Sequence, residues 1–247
     1  MMNRENNVRM TYENGYKYET HLHTSETSAC AVSSGKEMVR AYADAGYSGI
    51  VVTDHFFNGN TCVPPHLPWE TRVDLFCKGF ENAREEGEKL GLKVFFGWEY
   101  GYYQTDFLTY GLDREFLLKN PDVLKWSLDE YSDVVHRHGG FITHAHPFRE
   151  AFYIDAIRLF PNLVDAVEVV NASHTDPSFN RKAKRYAEEN GLIEMSGSDA
   201  HSVRPMLGGG IVSETRFETI EELIAGVKGG TDYGLLGETP PPKHWRR

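Results

Sequence analysis

The segment Gly49–His55, GIVVTDH, runs apolar for four residues and then ends abruptly in Thr53, Asp54 and His55. A short continuous apolar run of this kind suits a strand covered on both faces, as in a parallel sheet. Helical patterns flank it. Upstream, Ser34–Gly35–Lys36–Glu37 forms a capping box, and a helix runs from it to Ala45 with Gly46 as its stop. Downstream, Val73, Phe76, Phe80 and Ala83 recur at helical spacing within Trp69–Leu90, which Gly91 ends.

Further out the alternation continues. Strands are expected at Tyr18–His23, Leu92–Trp98, Asp106–Leu112, Phe141–His144, Val164–Val170 and Leu192–Ser196, with a short one near Tyr233–Leu236. Helices are expected after the capping box Ser127–Glu130, stopping at Gly139–Gly140, and from the Asp176 cap and Pro177 to Asn190, with Gly191 as the stop. Thr219–Glu222 opens a last long helix. Buried-type strands alternating with helices imply a parallel sheet with helical crossovers, and seven or eight such units suit a closed barrel. An open doubly wound sheet is the alternative. No GxGxxG follows the first strand, which counts against a dinucleotide fold, and no GxxxxGK[ST] occurs.

The 247 residues include 26 Lys and Arg against 36 Asp and Glu, a net charge of −10. That sign disfavours long nucleic acid and anionic membrane surfaces as partners. No run approaches the roughly 20 apolar residues of a membrane span. The opening MMNRENNVRMTYENGYKYE lacks the apolar core of a secretory signal. Cys30, Cys62 and Cys77 are too few and too scattered for a disulfide framework, so reduced thiols and a cytoplasmic location are expected. Residues 1–14 read as a polar N-terminal segment and 239–247 as a proline-rich basic tail.

Eleven histidines are the unusual feature, and their positions carry the functional reading. His21 and His23 end the first strand, Asp54 and His55 the second, and Glu99 the third. Asp106 begins the fourth, His144 and His146 follow the next, Glu168 and Asn171 lie on another, and Asp199 and His201 follow the last. In a parallel barrel these ends meet on one face. Residues i and i+2 of a strand point the same way, so His21 and His23 can grip one ion. Any one of these groups has an ordinary explanation as a hydrogen-bonded core histidine or a helix cap. Five at successive strand ends indicate a polynuclear metal site. His66, His136, His138 and His244 lie off the pattern, and Arg181, Lys182, Lys184 and Arg185 read as a solvated helix face.

The motifs HLHT (His21–Thr24), VTDH (Val52–His55), GWE (Gly97–Glu99), AHPF (Ala145–Phe148) and SDAH (Ser198–His201) resemble, in order, those of the polymerase and histidinol phosphatase (PHP) superfamily. The likeness covers about residues 17–237. It implies a single-domain distorted TIM-like (β/α)7 barrel over residues 15–238, two or three divalent ions, and cleavage of phosphate esters. By the same resemblance His21, His23, Glu99 and Asp199 hold a first ion. Glu99 bridges to a second, completed by His146, and His55 and His201 hold a third. Two positions depart from the pattern. Asp106 stands where a histidine is common between the Glu and His-Pro motifs. Glu26 is the nearest acid where an Asp or His often completes the third site, with only Cys30 besides. His144 is a further ligand or a pocket-lining residue.

Such ions lower the pKa of bound water and deliver a bridging hydroxide at neutral pH, which attacks phosphorus in line. Arg149 and Arg204 are placed to neutralise the phosphoryl oxygens, and Asp54 or His201 to relay a proton to the leaving group. Mixed histidine and carboxylate ligands suit zinc, manganese or iron. The expected substrate is a small phosphorylated molecule: histidinol phosphate, another phosphomonoester or a small phosphodiester. Three other functions compete. An amidohydrolase-type C–N hydrolase generally wants a bridging lysine at a strand end, and none sits there. An exonuclease-like nucleotide phosphodiesterase and a metal-holding regulatory domain are the others. Loops 56–69 and 112–126 are expected at the pocket rim, with Phe56, Phe57, Trp69, Tyr100, Tyr102 and Tyr103 either lining it or packing in the loops.

Overall fold

A computed structural model describes residues 15–205 and 208–237. The N-terminal segment 1–14 and the tail 239–247 proposed from sequence lie outside these, as does His244. Among the described residues the strands are β1 (Tyr16–Leu22), β2 (Gly49–Val52), β3 (Lys93–Tyr102), β4 (Thr105–Tyr110), β5 (Phe141–His144), β6 (Ala166–Asn171), β7 (Ile193–Gly197), β8 (Ile211–Ser213) and β9 (Tyr233–Leu235). The helices are α1 (Gly35–Asp44), α2 (Trp69–Phe76), α3 (Lys78–Leu90), α4 (Arg114–Lys119), α5 (Leu128–Arg137), α6 (Pro177–Asn190) and α7 (Ile220–Ala225). No helix among them is long and apolar enough to cross a membrane.

One sheet runs in the order β7-β6-β5-β4-β3-β2-β1-β8-β9. It curls until β7 meets β1. There the Asp199 N–H donates to the His21 carbonyl at 2.8 Å and the His23 N–H to the Ala200 carbonyl at 2.9 Å. The result is a nearly closed mixed barrel. The capping boxes at Ser34 and Ser127 form as expected, as does the Asp176–Pro177 start of α6.

The sheet departs from strict parallel alternation at two places. β3 continues past Glu99 to Tyr102 and turns straight back into β4, antiparallel, with Tyr102 opposite Thr105. Tyr103 (φ 46°) and Gln104 (φ 68°) form the two-residue connection, a hairpin turn that needs left-handed backbone at both central positions. β8, absent from the sequence reading, adds antiparallel to β1 and pairs β9. The helix expected over Trp69–Leu90 breaks at Cys77 into α2 and α3, and the last helix is a short one.

Apolar residues fill the lower barrel and polar ones the upper. Tyr18, Val51, Phe95, Leu108, Phe141, Ala166 and Met195 form the inner core, closed below by Phe217, Leu223 and Ile224. Each of several strands then delivers a polar side chain two to four residues further on: His21 after Tyr18, Glu99 after Phe95, Glu168 after Ala166, Asp199 after Met195. The apolar layer thus fixes the strands that aim the site.

Candidate metal centre

His21 and His23 are completely buried at the end of β1, with their Nε2 atoms 3.2 Å apart. The hydrogen bonds at their other nitrogens explain that contact. The His21 Nδ1 lies 2.9 Å from Glu168 Oε1, an acceptor only, so it carries the proton. The His23 Nδ1 lies 3.2 Å from Ser28 Oγ, whose own hydrogen goes to Asp54 Oδ1 at 2.7 Å. With both Nδ1 atoms acting as donors, the two Nε2 atoms face the same point, where either a proton on His21 or a divalent ion satisfies both rings.

Carboxylates surround that point. Glu99 Oε1 is 3.3 Å from His21 Nε2 and 3.0 Å from His146 Nε2, and Asp199 Oδ1 is 3.3 Å from His23 Nε2. Glu99 Oε2 is fully enclosed and accepts no well-aligned hydrogen bond, although His55 Nδ1 comes within 2.7 Å. A buried carboxylate ringed by imidazole nitrogens fits a divalent ion. His21–His23–Glu99, Glu99–Asp106–His146 and His23–His55–His201 are each close enough to share one.

Against burial, the Glu168 and Asp199 charges raise His21 well above its ordinary value, and Glu99 raises His55 to about 11, so an ion must displace a proton from each. Burial opposes charge on Glu99, but His55 and the hydrogen bonds from His146 and His21 hold its carboxyl well below the usual range. Asp199 is held down against burial by His21 and Arg149. Burial, with His55 and His201 nearby, pushes His23 well below its ordinary value, so its ring is neutral and available as a ligand. Burial and the Glu99 charge raise Asp106 to about 6.

His146 (φ 59°) and Asp199 (φ 54°) both adopt left-handed backbone, which costs a non-glycine residue about 1–3 kcal/mol. For His146 the conformation is doubly unusual, because the residue before a proline favours extended backbone. This turn explains why His144 and His146 do not share an ion despite their i, i+2 spacing. The His144 ring stacks on Phe107, with Nε2 2.9 Å from Thr105 Oγ1, and burial with nearby His146 lowers its pKa to about 3.

Three other residues named from sequence are placed elsewhere. Glu26 accepts from the Gly35 N–H and the Asn82 amide, both at 3.0 Å, so it anchors the start of α1. Asp54 accepts from the Thr24 N–H, the Thr24 hydroxyl and the Ser28 hydroxyl at 2.6–2.7 Å, which commits both its oxygens. It sets the loop that positions His23. Gly79 of α3 packs against this pair, and a Cβ there would lie 2.0 Å from Thr24 Oγ1. Arg204 is exposed and does not line the cavity above the cluster. Arg204→Ala is expected to leave kcat/KM within about twofold, as for a surface change away from special features. A tenfold loss in steady-state assays would return it to the site.

Glu168 was legible as a strand-end acid but not as the partner of His21. It also accepts from the Asn171 amide at 2.9 Å. Gly197 permits this approach, since a Cβ there would lie 2.5 Å from both Glu168 Oε1 and His21 Cβ. Glu168→Gln is expected to weaken metal binding about 10- to 100-fold, the usual effect of losing a ligand's outer partner, measured by competition with a chromogenic chelator.

Above the cluster opens a cavity of about 870 Å³. Arg149, the only Lys or Arg among its described lining residues, pairs with Asp199 at the floor. Tyr100, Tyr102 and Tyr103 line the wall, joined by Leu124, Trp126 and Tyr153. Phe56, Phe57 and Trp69 pack into the core instead. From loop 56–69 the cavity receives Asn58, Gly59 and Asn60. Leu112, Asp113, Phe116 and Asn120 border a different hollow, because antiparallel β4 delivers them to the opposite barrel end.

A family model described as PHP-associated matches residues 177–231, from α6 past α7. No curated protein matches the chain by sequence. In fold it is similar to a two-domain protein of Bacteroides vulgatus containing a predicted PHP-like metal-dependent phosphoesterase (TM-score 0.67, 15% identity), over 90% of this chain and 64% of that one. The chain therefore spans less than two thirds of that protein. It is also similar to a protein of Bifidobacterium adolescentis assigned as a metal-dependent phosphoesterase (0.53, 16%), over 78% of this chain and 90% of that one. An amidohydrolase of Chromobacterium violaceum, solved with sulfate and no metal, matches at 0.52 and 14% with the same coverage. These likenesses establish the fold. The PHP-associated segment carries the Asp199–His201 motif.

Proposed function

We propose that this chain is a metal-dependent phosphoesterase acting on a small phosphorylated molecule, a phosphomonoester or a small phosphodiester. The observation that carries the reading is the convergence of His21, His23 and His146 with Glu99 and Asp199 beneath a cavity that has Arg149 as its cation. His21, His23, Glu99 and Asp199 would hold one divalent ion, Glu99 and His146 with Asp106 a second, and His55 and His201 a third. Zinc, manganese and iron all suit these donors. Bound there, the ions supply Lewis acidity and lower the pKa of water.

The chain's own residues do the rest. Glu168 and Ser28 fix the His21 and His23 tautomers, and Asp54 holds Ser28. Arg149 offers a planar fork of donors to the phosphoryl oxygens, a geometry a lysine lacks. The tyrosine wall and Trp126 shield the organic part of the substrate from water. The net negative charge and the enclosed floor favour a small substrate over a long polyanion.

An amidohydrolase reading has one supporting observation, the fold likeness to the Chromobacterium violaceum protein. Lys93 begins β3 and pairs with Glu218 at 2.6 Å, away from the cluster, while Glu99 contacts both His21 and His146. The test is hydrolysis of 4-nitrophenyl phosphate, bis(4-nitrophenyl) phosphate and a 4-nitroanilide after reconstitution with Mn²⁺ or Zn²⁺. Metal-dependent turnover of a phosphate ester is expected, and the preferred ester sets the substrate class. Turnover of the anilide alone, or of none with metal bound, would overturn the reading.

A further inference from the structure

The loop between β1 and α1 carries a side chain that the phosphoesterase reading leaves unused. Cys30 Sγ lies 3.1 Å from His55 Nε2 at the edge of the cavity, which His201 also lines. Its position is fixed by the backbone on both sides. The Ala29 N–H donates to the Asn60 carbonyl at 2.8 Å, and the Val32 N–H donates to the His201 carbonyl at 2.7 Å. Asp54 ties down the start of the same loop through Thr24 and Ser28.

Of the two histidines beside it, His201 has its tautomer set. The His201 Nδ1 donates to the Asp199 carbonyl at 2.9 Å, which leaves Nε2 as a lone pair. His55 presents Nδ1 to Glu99 and Nε2 to Cys30. The only carboxylate in residues 25–33 is Glu26, and it is engaged with Gly35 and Asn82.

We infer that Cys30 is a thiolate ligand of the third metal position, completing the His55–His201 pair. The inference rests on reading the cluster as a metal centre. A sulfur donor makes this position softer than the His–carboxylate positions beside it, so it selects a thiophilic ion such as Zn²⁺ or Co²⁺ over Mn²⁺ or Mg²⁺. Ligation by His201 through Nε2 also removes that ring from proton relay.

Cobalt reads the bond directly. Co²⁺ titrated into the full-length protein is expected to give a near-ultraviolet thiolate-to-metal charge-transfer band. Cys30→Ser should abolish the band and reduce tightly bound metal by one ion per chain. Cys30→Asp should restore the ion without the band. In parallel, Zn²⁺ should protect Cys30 from iodoacetamide, with the labelled peptide identified by mass spectrometry to separate it from Cys62 and Cys77. The inference is overturned by a band that survives in Cys30→Ser, by no band at all, or by labelling of Cys30 at the same rate with and without Zn²⁺. These readouts do not depend on turnover. Loss of the phosphoesterase reading would leave the band in place, and loss of the band would leave phosphate-ester hydrolysis by the other ions in place.

Discussion

A protein carrying both His21→Ala and Glu99→Ala is expected to fold, to lose its bound divalent metal at the paired positions, and to drop in kcat/KM by well over 100-fold. Loss of a ligand's outer partner already costs about 10- to 100-fold, so loss of two ligands must exceed it. Folding should survive because the apolar lower barrel is independent of the cluster. Elemental analysis and circular dichroism of the variant beside the parent check both halves. Unchanged metal content in a folded variant would show that the ions sit elsewhere.

Arg149→Ala is the second large effect: a loss of about 100- to 1,000-fold in kcat with metal content retained. That is the range for removing one preorganised donor from the charge that develops in a transition state. The residue is suited to it. Its side chain is 23% exposed, it pairs with Asp199 at the cavity floor, and no other described Lys or Arg lines that cavity. Asp199 and Glu99 hold it firmly cationic against the opposing effect of burial. Arg149→Lys should recover only part of the loss, because it restores charge without the fork. Steady-state kinetics separates the cases. A change confined to KM would assign Arg149 to ground-state binding.

The barrel and most of its strand ends were legible because buried strands are compositionally plain. Gly49–His55 and Phe141–His144 show their apolar runs and their polar ends in the residues themselves. The β3–β4 hairpin was hidden because Tyr103 and Gln104 take left-handed backbone without the Asn-Gly or Gly-Gly signal that usually marks such a turn. Glu99 therefore reads as a strand end when it is the middle of a ten-residue strand. His21 and His23 face one point along a regular strand, whereas the left-handed backbone at His146 turns its ring away from that of His144. Residue type pointed to Glu26 near the third position, but hydrogen bonding commits that acid to α1. No sequence signal distinguishes a carboxylate that caps a helix from one that waits for an ion. Arg204, a few residues beyond Asp199, is turned outward by the chain after His201.

The central claim is that these side chains form a metal centre. The most direct measurement is elemental analysis of the purified protein after dialysis against Zn²⁺ or Mn²⁺ and removal of loosely held ions. Two to three divalent ions per chain are predicted, falling to one or fewer in the His21→Ala, Glu99→Ala protein. Fewer than one ion per chain in the parent, under conditions where it is folded, would contradict the account.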